Sequence, residues 1–119
     1  MEEKIVLCCA NAYEKKYYFN EMFSGMPESI KKELNIICVL FTEEVGGLLS
    51  FVFDGEGNLN LETDADEEDI LYDEIGAGLL VKEIIRKKQE LFESLTLYYK
   101  IFILKMDPSA LLAEEGGNS

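Results

Sequence analysis

Apolar and polar positions along the chain sort into alternating runs, solid runs and one long stretch of helical spacing. Leu49, Phe51 and Phe53 alternate with Ser50 and Val52, and Leu59 and Leu61 alternate with Asn58, Asn60 and Glu62. A period of two predicts strands, and Asp54-Gly55-Glu56-Gly57 between them predicts a tight turn. The second strand of this pair has one polar face, as an antiparallel strand wetted on one side does. Residues 4–10 are apolar almost throughout and read as a first strand. Residues 36–41 are apolar on both faces and read as a central strand, joined to the next strand by a hairpin connection at 42–47. Tyr17-Tyr18-Phe19 favours a strand folded back on the first across residues 12–15, although Asn11 with Glu14 also fits a capping box opening a short helix. Pro27 suits the first position of a short helix over 27–34, with Glu28 near its positive end.

The helical spacing starts after the last alternating run. Ile70, Ala77, Val81, Ile84, Leu91 and Leu95 recur at helical intervals. Thr63, Asp64 and Asp66 all suit a helix N-cap, and Glu67, Glu68 and Asp69 suit its first turn. The spacing predicts one long helix over 66–94, with Glu83–Lys87 and Arg86–Glu90 as i,i+4 pairs on its outer face. Residues 95–104 have strand composition, yet Leu95, Tyr98, Tyr99 and Phe102 continue the helical register, so helix and strand both stay open there. A helix running unbroken from 66 to 104 would be nearly ~60 Å long at ~1.5 Å per residue. That exceeds the span of a domain this size, so it would project or bend. Residues 1–106 read as a single domain and 107–119 as a short, partly disordered extension, with a brief amphipathic stretch near 110–115.

Composition narrows the class of function. The chain has 119 residues, 24 Asp plus Glu against 11 Lys plus Arg, a formal net charge of −13, no histidine and no tryptophan. With 48% hydrophobic residues, the chain can build a core without metal or disulfide. Absence of histidine removes Ser-His-Asp and Cys-His nucleophile systems and His-based zinc sites. The acidic balance argues against nucleic acid and anionic membranes as partners. No run reaches the ~18 apolar residues of a membrane span, and the acidic start does not read as a signal peptide, so a cytoplasmic protein is expected. Cys8, Cys9 and Cys38 are an odd set for a secreted disulfide framework and read as small buried hydrophobes. Neighbours Cys8 and Cys9 should point to opposite faces of a strand.

The densest charge lies between Glu62 and Glu74, where eight of thirteen residues are carboxylates. Asp66, Glu67, Asp69, Asp73 and Glu74 are the candidate partner-binding residues, as an acidic patch for a basic protein. Asp69 and Asp73, four apart on one helical face, are weak candidate ligands for a divalent metal. A helix cap with a solvated face accounts for the same residues. Asp54, Glu56 and Asn58 faintly suggest a calcium loop, but Leu59 and Ala65 stand where Gly and a bidentate Glu are needed, leaving a hairpin turn. Gly76 and Gly78 inside the helix cost about 2 kcal/mol of propensity relative to Ala, which predicts close backbone approach to the sheet, another helix or a partner. The basic run Arg86-Lys87-Lys88 invites an antiparallel contact with the acidic start of the same helix in a second subunit.

Three segments carry a resemblance: CCANAYEKKYYFN at 8–20, LFTEEVGG at 40–47 and DEEDILYDEIGAGLL at 66–80. Together they resemble a family of short acidic cytoplasmic proteins from Clostridia-type Firmicutes, over about residues 4–104. The family is a domain of unknown function, so the resemblance implies no activity, substrate or catalytic residue.

The expected fold is α+β: an antiparallel meander of four to five strands with one long C-terminal helix on a face. The doubly apolar strand at 36–41 would need cover on its second face, and an isologous partner would supply it, so a homodimer is expected. The expected function is a non-enzymatic acidic binding or scaffold protein with no cofactor. Two alternatives stay beside it: an immunity-like inhibitor of a basic partner protein, and a carboxylate- and divalent-metal-dependent enzyme.

Overall fold

The computed structural model describes residues 4–105 and 107. In chain order they form β1 (Ile5–Asn11), β2 (Lys16–Phe19), a 3-10 turn (Glu21–Phe23), α1 (Glu28–Val45), β3 (Leu48–Phe53), β4 (Leu59–Asp64), α2 (Glu74–Lys87), α3 (Gln89–Tyr98) and one π turn (Tyr99–Ile103). The fold is α+β, and its four strands make one antiparallel sheet of order β2-β1-β3-β4. There is no fifth strand among the described residues.

Register explains how the sheet sorts its faces. Phe19, Cys8, Phe51 and Leu61 stand side by side across the four strands, and Tyr17, Ala10, Leu49 and Thr63 form the next row of that face. Helices cover this face: Cys38 of α1 reaches Cys8, and Phe92 of α3 meets Phe51 edge-on with ring centroids 5.7 Å apart. The opposite face carries Tyr18, Cys9, Ser50 and Glu62 in one row, a mixture suited to water. Cys8 and Cys9 therefore do face opposite ways, Cys8 buried and Cys9 half-buried. β1 holds one extra residue, Leu7, between the residues paired with Val52 and Phe51. Such a bulge lets consecutive side chains enter one core, and Leu7 and Cys8 are both fully buried.

The expected central strand at 36–41 is the middle of α1. Leu34, Ile37, Cys38 and Phe41 are its buried stripe, a helical 3–4 spacing, while Ile36 and Leu40 are apolar but exposed. These two outward residues fill the polar gaps that would otherwise betray the helix, so the segment looks apolar on every face. The short helix expected over 27–34 is the first part of this 18-residue helix, with Pro27 just outside it as N-cap residue. Of the expected hairpin connection at 42–47, the first four residues are still helix, and Gly46 and Gly47 alone lead into β3. β3 consequently pairs with β1 on one side and β4 on the other, not with a strand at 36–41.

The β1–β2 hairpin follows the strand reading, and Asn11 works inside its turn: its Oδ1 accepts from the backbone N–H of Tyr13 and Glu14 at 2.9 and 3.2 Å. The β3–β4 turn is likewise the expected hairpin. Asp54 accepts from the Asn58 and Glu56 backbone N–H groups, contacts that hold its carboxyl below the usual carboxylate range.

The long helix expected over 66–94 starts later and breaks. Thr63 and Asp64 end β4, paired with Leu49 and Leu48, and helix begins only at Glu74. A break at Lys88 (φ −113°, ψ 30°) separates α2 from α3. Residues 95–104 continue as helix: α3 runs to Tyr98 and passes into the π turn, with no strand. The break is the bend that the length argument required, and the longest axis of the described structure is 49 Å. It turns α3 across the sheet, where Leu91 and Leu95 are buried and Tyr99 stacks on Phe53 with centroids 4.2 Å apart. The expected extension after residue 106 lies, apart from Asp107, outside the described residues.

Candidate functional site

The loop from residue 65 to 73, between β4 and α2, carries most of the predicted binding residues. Local geometry shapes it first. Asp64 Oδ1 accepts from the Ala65 N–H at 2.8 Å, the Asp66 carbonyl accepts from the Asp69 N–H at 3.0 Å, and the Glu68 carbonyl accepts from the Ile70 N–H at 3.0 Å. Asp suits such turns because its short carboxylate bonds nearby backbone donors, as Asp69 Oδ1 does with the Leu71 N–H at 3.2 Å. These turns satisfy the backbone without helix, which is why an acidic run that looks like a helix start is a loop.

A tyrosine from the far side of the sequence fixes the loop in place. The Tyr13 hydroxyl, from the β1–β2 turn, donates to Asp69 Oδ2 at 2.6 Å and accepts from the Asp66 N–H at 3.0 Å. The Asp69 hydrogen bond raises the Tyr13 pKa above the ordinary phenol value, since losing that proton would set two anions against each other. At the other end, Tyr72 leans on Gly47. A β-carbon at Gly47 would lie 2.5 Å from the Asp64 carbonyl oxygen and 2.7 Å from the Tyr72 ring, and φ there is +68°. Only glycine lets the loop close over this corner.

Asp73 is the true N-cap of α2. Its Oδ1 accepts from the Gly76 N–H at 3.0 Å. This contact also accounts for one of the two glycines: a β-carbon on Gly76 would sit 2.5 Å from Asp73 Oδ2, while Gly78 faces open space. The expected close approach is thus to the helix's own cap, not to the sheet or another helix. Ala77 between them is the buried residue.

The structure gathers Asp66, Glu67, Asp69 and Glu74 around one depression of ≈ 570 Å³, together with Asp64, Ile70 and Tyr72. Asp73 lies outside its lining. Asp69 and Asp73 do not share a helical face, because Asp69 is not in a helix. Each has structural work, Asp69 with Tyr13 and the Leu71 N–H, Asp73 with the helix start. Among the described residues, no three His, Cys, Asp or Glu side chains are grouped to hold a metal ion. Ile70, expected on the buried stripe of a helix, is instead 91% exposed, and its neighbour Leu71 is 89% exposed. Two large apolar side chains therefore project from the middle of the acidic loop.

Two further features escaped sequence reasoning. The Cys8 and Cys38 sulfurs lie 3.8 Å apart in the core. The contact with Cys8, and then burial, push the Cys38 thiol well above its ordinary range, and burial does the same to the neighbouring Tyr17 hydroxyl. The Tyr17 and Tyr72 hydroxyls are buried with no hydrogen-bond partner among the described residues. The second feature is a groove of ≈ 910 Å³ between α1 and α2, floored by apolar side chains. Along its edge Glu83 accepts from Arg86 at 2.7 Å and meets Lys87 at 3.2 Å, contacts that lower the Glu83 pKa, Arg86 first. The expected Lys87 pair with Glu83 is present, whereas Arg86 turns back to Glu83 rather than on to Glu90.

Residues 4–107 match the model of DUF6145, a family of unknown function, and the chain belongs to that family. Neither curated proteins nor solved structures provide a match. No helix of the described residues is long and apolar enough to cross a membrane.

Proposed function

We propose that this DUF6145 protein is a non-enzymatic acidic binding protein, acting as a homo-oligomer, whose 65–73 loop docks a basic partner protein. The observation that carries the reading is the pairing of Ile70 and Leu71, both almost wholly exposed, with the carboxylates of Asp66, Glu67, Asp69 and Glu74 on a loop already pinned by Tyr13. Large apolar side chains are not left in water on a fixed loop for stability's sake, and they are the usual anchors of a protein interface. The surrounding carboxylates would steer a cationic partner and select against acidic ones. Pre-formation of the loop removes part of the ordering cost of binding. Three free thiols fit a reducing compartment, and the reading extends to a cytoplasmic bacterial protein.

The test is affinity capture from a native lysate with the full chain, followed by loop variants. A basic protein should be retained by the wild type and by an Asn60→Ser control, and lost with Ile70→Ser/Leu71→Ser. Its affinity should fall steeply with salt, and less steeply for Asp66→Asn/Glu67→Gln/Glu74→Gln. Recovery of the chain alone, or of a partner indifferent to both sets of loop variants, overturns the reading.

A further inference from the structure

We infer that the groove between α1 and α2 is a self-association surface, occupied by the same groove of a second copy in a two-fold, antiparallel arrangement. This deepens the oligomeric part of the reading above and is independent of the acidic loop.

The groove's floor is Ile36, Ile37, Leu40, Phe41, Leu80 and Ile84. Ile36 and Leu40 stand 54% and 59% exposed, next to each other on one face of α1. Nothing in the fold needs them apolar, since the buried stripe of α1 is complete without them. The open face of the sheet offers no comparable surface, because its central row is Tyr18, Cys9, Ser50 and Glu62. The expected reason for a dimer, an uncovered central strand, disappears with that strand, and the unpartnered apolar area lies on the helices instead.

Charge selects the occupant. α1 and α2 run antiparallel: Lys88 at the end of α2 lies 4.0 Å from Glu33 near the start of α1, while Tyr72, just before α2, touches Gly47, just after α1. One end of the groove therefore gathers Lys32, Lys87 and Lys88 beside Glu33 and Glu83, which pair with Lys88 and Lys87, a small cationic excess, and the other gathers Glu43 and Glu44 with no cation in the lining. A two-fold axis through the groove's middle lays each basic end over the partner's acidic end while the apolar floors meet. This surface is self-complementary in the sense an isologous interface requires. A foreign basic helix would match one end and oppose the other. Apolar burial supplies the affinity against the mutual repulsion of two chains of net charge −13, and the charged ends set the direction.

Sedimentation equilibrium of the full chain, from micromolar to sub-millimolar protein, reads this directly. The expected mass is twice the 13.5 kDa chain. Leu40→Asp should raise the dimer dissociation constant at least ~30-fold, the size of a hot-spot loss, while keeping the folded circular dichroism spectrum because Leu40 is an exposed residue. Lys32→Glu/Lys88→Glu should weaken the dimer about tenfold, and adding Glu43→Lys/Glu44→Lys should restore it, whereas adding Glu14→Lys/Glu21→Lys, which returns the same net charge away from the groove, should not. The loop variants of the previous section should leave the dimer intact, so partner capture and self-association fail separately. A wild type monomeric throughout, a dimer indifferent to Leu40→Asp, or a fourfold groove variant no tighter than the double one or the Glu14→Lys/Glu21→Lys control overturns the inference. So does a monomer whose groove instead retains a foreign basic helix in a Leu40-dependent way.

Discussion

Two regions of the molecule use aromatic rings in contrasting ways. Phe23, Phe53 and Tyr99 form a dry stack: Phe23 and Phe53 are fully buried, and Phe53 and Tyr99 lie nearly parallel at 17°. Tyr13 is exposed and acts through its hydroxyl alone, holding Asp66 and Asp69 from 53 and 56 residues away. The stack joins the 3-10 turn, β3 and the π turn through area and dispersion. The clip joins a hairpin to a loop through two polar bonds in water. Removing a ring from the first should unfold the protein. Removing a hydroxyl from the second should free one loop and leave the rest standing.

The largest effect expected from this contrast is Phe53→Ala, a loss of about 3–5 kcal/mol, read by denaturant unfolding. A loss under ~1 kcal/mol there would mean the stack is not the core's anchor. Alkaline unfolding comes next. The folded chain keeps the Cys38 proton that an unfolded thiol sheds above ~8.5. Stability from this group is whole below that pH and declines above it, by up to about 1.4 kcal/mol per pH unit, with Tyr17 adding to the fall from ~10 upward. Cys38→Ala should flatten the first part of the profile, measured as unfolding free energy between neutral and alkaline pH. Asp73→Ala should cost about 1 kcal/mol through the lost cap, against almost nothing for Glu68→Gln, a carboxylate of the expected but absent first turn. The smallest effect on stability belongs to Tyr13→Phe, about 1 kcal/mol or less for two exposed hydrogen bonds. It should nonetheless speed amide exchange across 65–72 while leaving β3 protected. Equal exchange in both variants and regions would erase the distinction drawn between stack and clip.

What the sequence reveals of the fold follows the range of the signal. The β3–turn–β4 hairpin was legible because Leu49, Phe51 and Phe53 face a core while Asn60 and Glu62 face water, an alternation written within a few residues. The hairpin of β1 and β2 was legible from composition instead, the apolar run at 4–10 and Tyr17-Tyr18-Phe19, with the capping-box helix at Asn11 as its competitor. α1 was not, because Ile36 and Leu40 are apolar for a surface beyond the helix's own packing, and they mask the stripe of Leu34, Ile37 and Phe41. The start of α2 was misplaced because Asp64, Asp66 and Asp73 are equally good caps in isolation. Pairing of Asp64 with Leu48 and the bond from the Asp66 N–H to the Tyr13 hydroxyl remove the first two, and neither contact is local. The candidate site shows the same division. Its carboxylates were visible as a charge run, whereas Tyr13, Gly47 and the exposure of Ile70 and Leu71 depend on where distant segments meet.

The extra residue in β1 bears on which length changes the chain tolerates. Ile5 and Val6 pair with Phe53 and Val52, and Cys8 then pairs with Phe51, so Leu7 stands outside the ladder's count. Excising Leu7 would leave every remaining neighbour in phase and convert the strand into an uninterrupted ribbon, at the cost of one interior side chain. Excising Cys9, two positions along, would invert the inside and outside of everything on one side of the gap. Natural variation in length within this strand should therefore collect at a single point.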